Sequence, residues 1–222
     1  MNYLFTGPAL AITAKHRVVM SLVEQPAYFP YPALAAQGYA EKIEELLALY
    51  PWEIQLTQLN LLSSHDVARA ITVMGGDQRS FELAVLLQLA FPGTPSIYYG
   101  DEVGLAGAHA PACRRSFPPA TDWNQRLLTL HKELIALRGQ HPSLCTGAYQ
   151  TLLTAGELYA FARSNDQETV VVLVNTAEQT AQATLPTLQE QAVVLWGEGT
   201  IAAALQQVSV PPRSGLIIGM SN

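Results

Sequence analysis

An α/β layer followed by an all-β antiparallel domain is the fold this sequence predicts. Three observations lead there. Over the first 140 or so residues, short apolar runs alternate with stretches of helical periodicity, the mark of successive strand–helix units. Strand candidates in that part are apolar on both faces, as parallel strands buried between layers are. After Pro142 the helical pattern gives way to short β-type runs separated by turn residues. Residues 1–143 are therefore expected to form the α/β part and residues 144–222 an antiparallel β-sandwich.

The elements follow in order. EKIEELLALY (41–50) places Ile43, Leu46, Leu47 and Tyr50 on one helix face with acids opposite, and Pro51 stops it. QLNLLSS (58–64) reads as a buried strand. Gly75-Gly76-Asp77 supplies a break and an N-cap for a helix from Gln78 to about Phe91, apolar nearly all round and ended by Pro92-Gly93. PSIYYG (95–100) is the next strand. A loop rich in Pro, Ala and Arg follows, to about Asp122. The helix NQRLLTLHKELIALR then has Leu127, Leu130, Leu134 and Leu137 in register, with Gly139 where a left-handed C-cap belongs. In the β part, GAYQTLL, ELYAFAR, TVVVLVN, QATL, QAVVLW and GLIIGM are the strand candidates. EQPAYFPYPALAAQGY (24–39) is a Pro- and aromatic-rich connector.

Composition limits the function classes. Hydrophobic residues make up 49% and charged residues 14%, which fits a globular chain with large buried surfaces and argues against disorder. The formal net charge is −6 and no segment concentrates Lys or Arg, so neither nucleic acid nor an anionic membrane is an expected partner. No apolar run approaches the ~20 residues of a membrane span, and the N-terminus has no basic lead of the secretory type. Cys113 and Cys145 match no metal-ligand spacing. They are read as reduced thiols of a cytoplasmic protein, with no metal and no cofactor expected.

The chemistry concentrates at strand ends. His65-Asp66 lies just past one predicted parallel strand and Asp101-Glu102 just past the next. In barrels of alternating strands and helices that face carries the function, so the two pairs are expected to project into one space. The plainer reading is that these acids cap the following helices and pair with Arg69, Arg114 or Arg115.

NLLSSHDVAR (60–69) followed by GTPSIYYGDEVGL (93–105) closely resembles glycoside hydrolase family 13, the α-amylase family, in the manner of its cyclomaltodextrinase, neopullulanase and maltogenic-amylase branch. The resemblance implies a partial (β/α)8 barrel. MNYLF resembles the family's sixth strand, NLLSSHD its seventh and SIYYGDE its eighth; residues from about 145 onward resemble its all-β domain C. It also implies that Asp66 is the third catalytic acid, stabilising the transition state, and that His65 binds hydroxyls of the ring being cleaved. Arg69 and Arg114 are the further substrate-binding candidates. Tyr98, Tyr99, Asp101 and Glu102 are expected to shape the barrel mouth and anchor its last loop.

The resemblance also shows what is missing. In the family the nucleophile lies on the fourth barrel strand in a Gly-x-Arg-x-Asp motif and the acid/base Glu ends the fifth; neither motif occurs in this sequence, nor does an Asn-His dipeptide. Where the branch carries an Asp-Pro-x-x-Arg element, this chain has Ala110-Pro111-Ala112-Cys113-Arg114-Arg115. Three of the eight units of a closed barrel would leave an open sheet edge. The expectation is a chain related to enzymes cleaving α-1,4-glucosidic bonds of maltooligosaccharides or cyclodextrins but inactive or very weakly active alone, and a homodimer covering the open edge. Two alternatives stand beside it. One is a non-catalytic α-glucan-binding module using Asp66, His65, Arg69 and the aromatic residues Tyr28, Phe29 and Tyr31. The other is a subunit that completes a site with another chain.

Overall fold

The chain opens with a helix where a strand was expected. In this computed structural model, which describes residues 1–23, 32–202, 204 and 206–222, MNYLF contributes one bridged residue to the sheet. Asn2 pairs in parallel with Asn60, donating its N–H to the Leu59 carbonyl at 2.8 Å. The backbone then turns into α1 (Tyr3–Thr13), most of which is buried. A short apolar run does not distinguish a buried strand from a buried helix. Here Phe5, Ala9 and Ile12, spaced at helical intervals, all reach the core. The connector residues Tyr28, Phe29 and Tyr31 lie outside the described residues.

Helix α2 (Ala36–Ala48) buries Ala36, Tyr39, Ala40, Ile43 and Leu46. It ends two residues earlier than its apolar pattern suggested, and Tyr50 is exposed. Pro51 opens the short α3 (Trp52–Gln55) instead, and the buried Gln55 amide donates to the Leu46 and Leu47 carbonyls at 2.9 and 3.0 Å, closing the end of α2.

Strands β1 (Leu59–Leu61) and β2 (Thr94–Ser96) pair in parallel, Asn60 opposite Pro95. Both are shorter than the apolar runs that predicted them. Past Leu61 the backbone is satisfied by side chains: Ser63 Oγ accepts from the Ala70 N–H at 2.9 Å and Ser64 Oγ from the Asp66 N–H at 3.0 Å. The crossover contains α4 (Ala70–Val73) and α5 (Gln78–Ala90), whose N-cap Asp77 accepts from the Ser80 N–H at 2.7 Å as its sequence position predicts. Inside the layer, the Gln88 amide donates to the Asn60 and Ser96 carbonyls at 3.1 and 2.8 Å, tying α5 to both strands.

Helix α6 (Gln125–Gln140) starts at its Asn124 cap and runs through Gly139, which has no left-handed φ. The expected glycine cap is overridden because His141-Pro142 ends the helix and starts α7 (Pro142–Thr146). Near that end Arg138 donates to the Leu89, Phe91 and Gly93 carbonyls, closing the C-terminus of α5.

The β part is a sandwich. Five antiparallel strands order as β3 (Ala148–Ala155), β4 (Leu158–Ser164), β5 (Glu168–Asn175), β10 (Ser214–Ser221) and β7 (Val193–Gly197). A second sheet orders β6 (Ala181–Thr184), β9 (Gln207–Val210) and β8 (Thr200–Ala202). The pieces TIA and QVSV are too short and mixed to stand out as strands in the sequence. Alternation along β5 explains the layering. Val170, Val172 and Val174 face the helices and join one core with Phe5, Phe91 and Leu134. Val171 and Leu173 face the second sheet with Val208 and Val210. The central strands β4, β5 and β10 are thus mostly buried on both faces. Helix α5 packs directly on this sheet: a Cβ on Gly215 would lie 2.1 Å from Leu86 Cδ2, so any larger residue there must displace that buried side chain. Arg163, buried beneath the sheet, donates to the Ala90, Leu144 and Gly147 carbonyls; burial lowers its pKa to about 9.

Candidate active site at the strand ends

The turn after β1 presents His65 and Asp66 to solvent, their side chains 58% and 47% exposed. His65 Nε2 lies 3.0 Å from Asp66 Oδ1. The pair is held in place from beneath. Ser64 Oγ accepts from the Asp66 N–H and shares a 2.8 Å hydrogen bond with the Tyr3 hydroxyl. Tyr3 in turn donates to Asp66 Oδ2 at 3.4 Å. Burial raises the Tyr3 phenol above its ordinary pKa, the Ser64 hydrogen bond opposes this and the Asp66 charge adds to it, so the phenol stays a donor at neutral pH. Tyr3 was not among the residues singled out from sequence. It lies 63 positions from Asp66 in the chain, and only the packing of α1 against β1 brings it there.

From the other side comes the loop after β2. Arg114 Nε donates to the His65 carbonyl at 2.8 Å, and the Cys113 thiol approaches the same oxygen at 3.7 Å. Arg114 is thus brought to the His65–Asp66 turn as its side-chain anchor.

Arg69 is placed differently. As a substrate-binding candidate it would need to reach the surface, but its side chain is wholly buried. Its Nη1 meets Asp101 Oδ1 at 3.0 Å and the Tyr99 carbonyl at 2.5 Å, and its Nε donates to the Cys113 carbonyl at 3.0 Å. The guanidinium lies over the rings of Tyr98 and Tyr99, 4.2 and 4.8 Å from their centroids. Asp101 is correspondingly withdrawn from the His65–Asp66 space into which it was expected to project. Burial raises its carboxyl to about 6, against the opposing effects of the Ser63 hydroxyl and Arg69. The plainer of the two sequence readings, an acid paired with Arg69, is the geometry found.

The two strand ends therefore offer one exposed carboxylate, Asp66, with a histidine beside it. Such a pair accepts and donates hydrogen bonds to vicinal hydroxyls. Glycosidic cleavage through paired carboxylates needs two such groups on either side of the scissile bond; at the neighbouring strand end Asp101 is engaged by Arg69, and Glu102 is half-buried with its Oε2 enclosed. Among the described residues no group of three or more His, Cys, Asp or Glu side chains could hold a metal ion.

Comparisons with known proteins bear on the chain as a whole. The family model described as alpha amylase, catalytic domain matches residues 33–133, and that of the alpha-amylase C-terminal domain matches residues 147–199. A cyclomaltodextrinase from Bacillus sp is 38% identical over 178 residues, spanning 79% of this chain and 29% of that protein. Neopullulanase 2 of Thermoactinomyces vulgaris is 39% identical over 156 residues, spanning 68% of this chain and 27% of that protein. The native form of the debranching enzyme from Nostoc punctiforme superimposes with a TM-score of 0.92 at 48% identity, covering 99% of this chain and 47% of that structure. The chain thus spans under a third of these curated relatives and about half of that solved structure.

Proposed function

Since this chain is a member of the alpha-amylase family of glycoside hydrolases, we propose that it supplies the C-terminal part of an α-glucan site. The ligand class is maltooligosaccharides or cyclodextrins with α-1,4-glucosidic bonds; relatives named cyclomaltodextrinase and neopullulanase support it. The observation that carries the proposal is the exposed His65–Asp66 pair, oriented by Ser64, Tyr3 and Arg114 at the end of β1. Asp66 would hydrogen-bond the hydroxyls of the sugar ring at the cleavage point, where such bonds strengthen as oxocarbenium charge develops. His65 would hold a neighbouring hydroxyl.

On this reading the chain by itself turns over no α-glucan. A retaining reaction needs a nucleophilic carboxylate and a proton donor roughly 5–5.5 Å apart. The sequence holds no Gly-x-Arg-x-Asp motif, and Asp101 is held by Arg69. Purified protein incubated with a cyclodextrin or maltotriose is expected to release no reducing sugar above the level of Asp66→Asn. Turnover that disappears in Asp66→Asn overturns the reading.

A second element rests on the open parallel sheet. Beyond β1, the bridge at Asn2 is the only further pairing among the described residues, and Leu59 and Tyr99 are exposed. Uncovered strand edges and apolar faces favour association. We propose that a second polypeptide covers this edge, either another copy in a homodimer or a chain carrying the remaining barrel units, which would also complete the site. Light scattering at micromolar concentration is expected to give twice the chain mass; a monodisperse monomer sinks the homodimer.

A further inference from the structure

Helices α5 and α6 and the edge of the five-stranded sheet at β7 and β10 enclose an open cleft of about 570 Å³. None of its lining residues belongs to the His65–Asp66 site. Its apolar lining comes from Leu83, Leu130 and the indole of Trp196. That indole is fixed in position: its Nε1–H donates to Glu133 Oε2 at 2.9 Å, from β7 across to α6. Behind it β7 and β10 approach backbone to backbone, since Gly197 has φ 105° and a Cβ there would lie 2.3 Å from the Gly215 carbonyl oxygen. An aromatic ring, half-buried and locked by its own polar tip, is a preformed recognition surface.

The rim carries Arg79, Arg126 and Arg213 together with Glu82, Glu133 and Glu198, so its formal charges cancel. The arginines are already engaged. Arg126 and Arg79 pair with Glu82 at 2.5 and 3.3 Å, and Arg213 pairs with Asp77. Gln125, Thr129 and Glu198 form no side-chain hydrogen bond among the described residues and border the cleft. An anion would meet the glutamates and a cation the arginines, while a purely apolar ligand would desolvate these polar groups without replacing their water contacts. A neutral ligand with one C–H-rich face and a ring of hydroxyls suits both the indole and the rim.

We propose that this cleft is a second carbohydrate-binding site, taking a short neutral oligosaccharide stacked on Trp196 with its hydroxyls on Glu198, Gln125 and Thr129. The choice of an α-glucan as that oligosaccharide rests on the functional reading above. In the full chain, titration with maltotetraose is expected to perturb the tryptophan fluorescence and the backbone amide signals of Thr129, Gly197 and Gly215. Trp196→Ala is expected to weaken this binding at least about tenfold, the loss of one aromatic anchor; Asp66→Asn is expected to leave it unchanged. Glu198→Gln, which keeps the fold contacts of Trp196, is expected to weaken it less. Shifts confined to residues 64–66 would overturn the second site and leave the α-glucan reading standing. Binding that Trp196→Ala leaves intact overturns it as well, and an absence of any binding to either site overturns both.

Discussion

At the end of β1, His65 and Asp66 stand 58% and 47% exposed; at the end of β2, Asp101 is 5% exposed, and Arg69, which pairs with it, is fully buried. Both pairs join a carboxylate to a nitrogen base at 3.0 Å. Their surroundings assign them opposite work. A buried pair draws its partners from the protein, and Arg69 meets two tyrosine rings, two backbone carbonyls and the Asp101 carboxylate, with Nη2 left without a hydrogen-bond partner among the described residues. An exposed pair contributes little to stability and remains available to a ligand. Equal distances thus carry different meanings, and burial separates the pair that holds the loop from the pair left open to a ligand.

The largest effect is expected where that contrast is sharpest. Arg69→Met leaves Asp101 buried without its partner and should cost about 3–5 kcal/mol, read by urea unfolding at neutral pH. A loss below about 1 kcal/mol would place this pair with ordinary surface pairs. An intermediate effect is expected at Asp77, which joins α5 to β10 through Arg213. Partial burial alone would raise this carboxyl, but the Arg213 hydrogen bond and the Ser80 N–H outweigh it and hold its pKa at about 2. A carboxyl lowered from 3.8 to about 2 by folding contributes stability above the unfolded value, and that stability is lost as pH falls through the folded one. Melting temperatures measured from pH 5 down to pH 2 should therefore fall more steeply for the wild type than for Asp77→Asn. Parallel curves would show that the Arg213 contact contributes nothing. The smallest stability effect is expected at the exposed pair. Asp66→Asn and His65→Ala should change unfolding free energy by no more than about 0.5 kcal/mol while removing maltooligosaccharide-induced amide shifts at residues 64–66. A large destabilisation by either would move this pair into the same class as Arg69–Asp101.

Much of the β part was readable because its information is local. TVVVLVN is a short β-branched run bounded by turn residues, and the structure sends Val170, Val172 and Val174 to one core and Val171 and Leu173 to the other. The cap Asp77 was readable for the same reason, since it bonds an N–H three residues away. What misled were segments whose local signal is ambiguous or weaker than a neighbour's. The apolar start of the chain suits a buried helix as well as a buried strand, and Gly139 is overruled by His141-Pro142 two residues later. At the site, the strand-end position of His65-Asp66 was legible from the run that precedes it, whereas its support by Tyr3 was not.

By itself the sequence determined where strand–helix units give way to β-type runs, that Asp77 caps a helix, that an α-amylase-family motif ends one strand in His65-Asp66, and that Asp101 follows the next. These are matters of residue type within a few positions, where backbone geometry and hydrogen-bond reach decide. The tertiary structure alone decided that Arg69 turns inward to Asp101 while Asp66 faces out, that Tyr3 reaches Ser64 and Asp66, and that Trp196 lines a cleft with Glu133. Each of those depends on groups separated by tens of residues in the chain, whose meeting is set by how helices and sheets pack and by which charges that packing leaves in water.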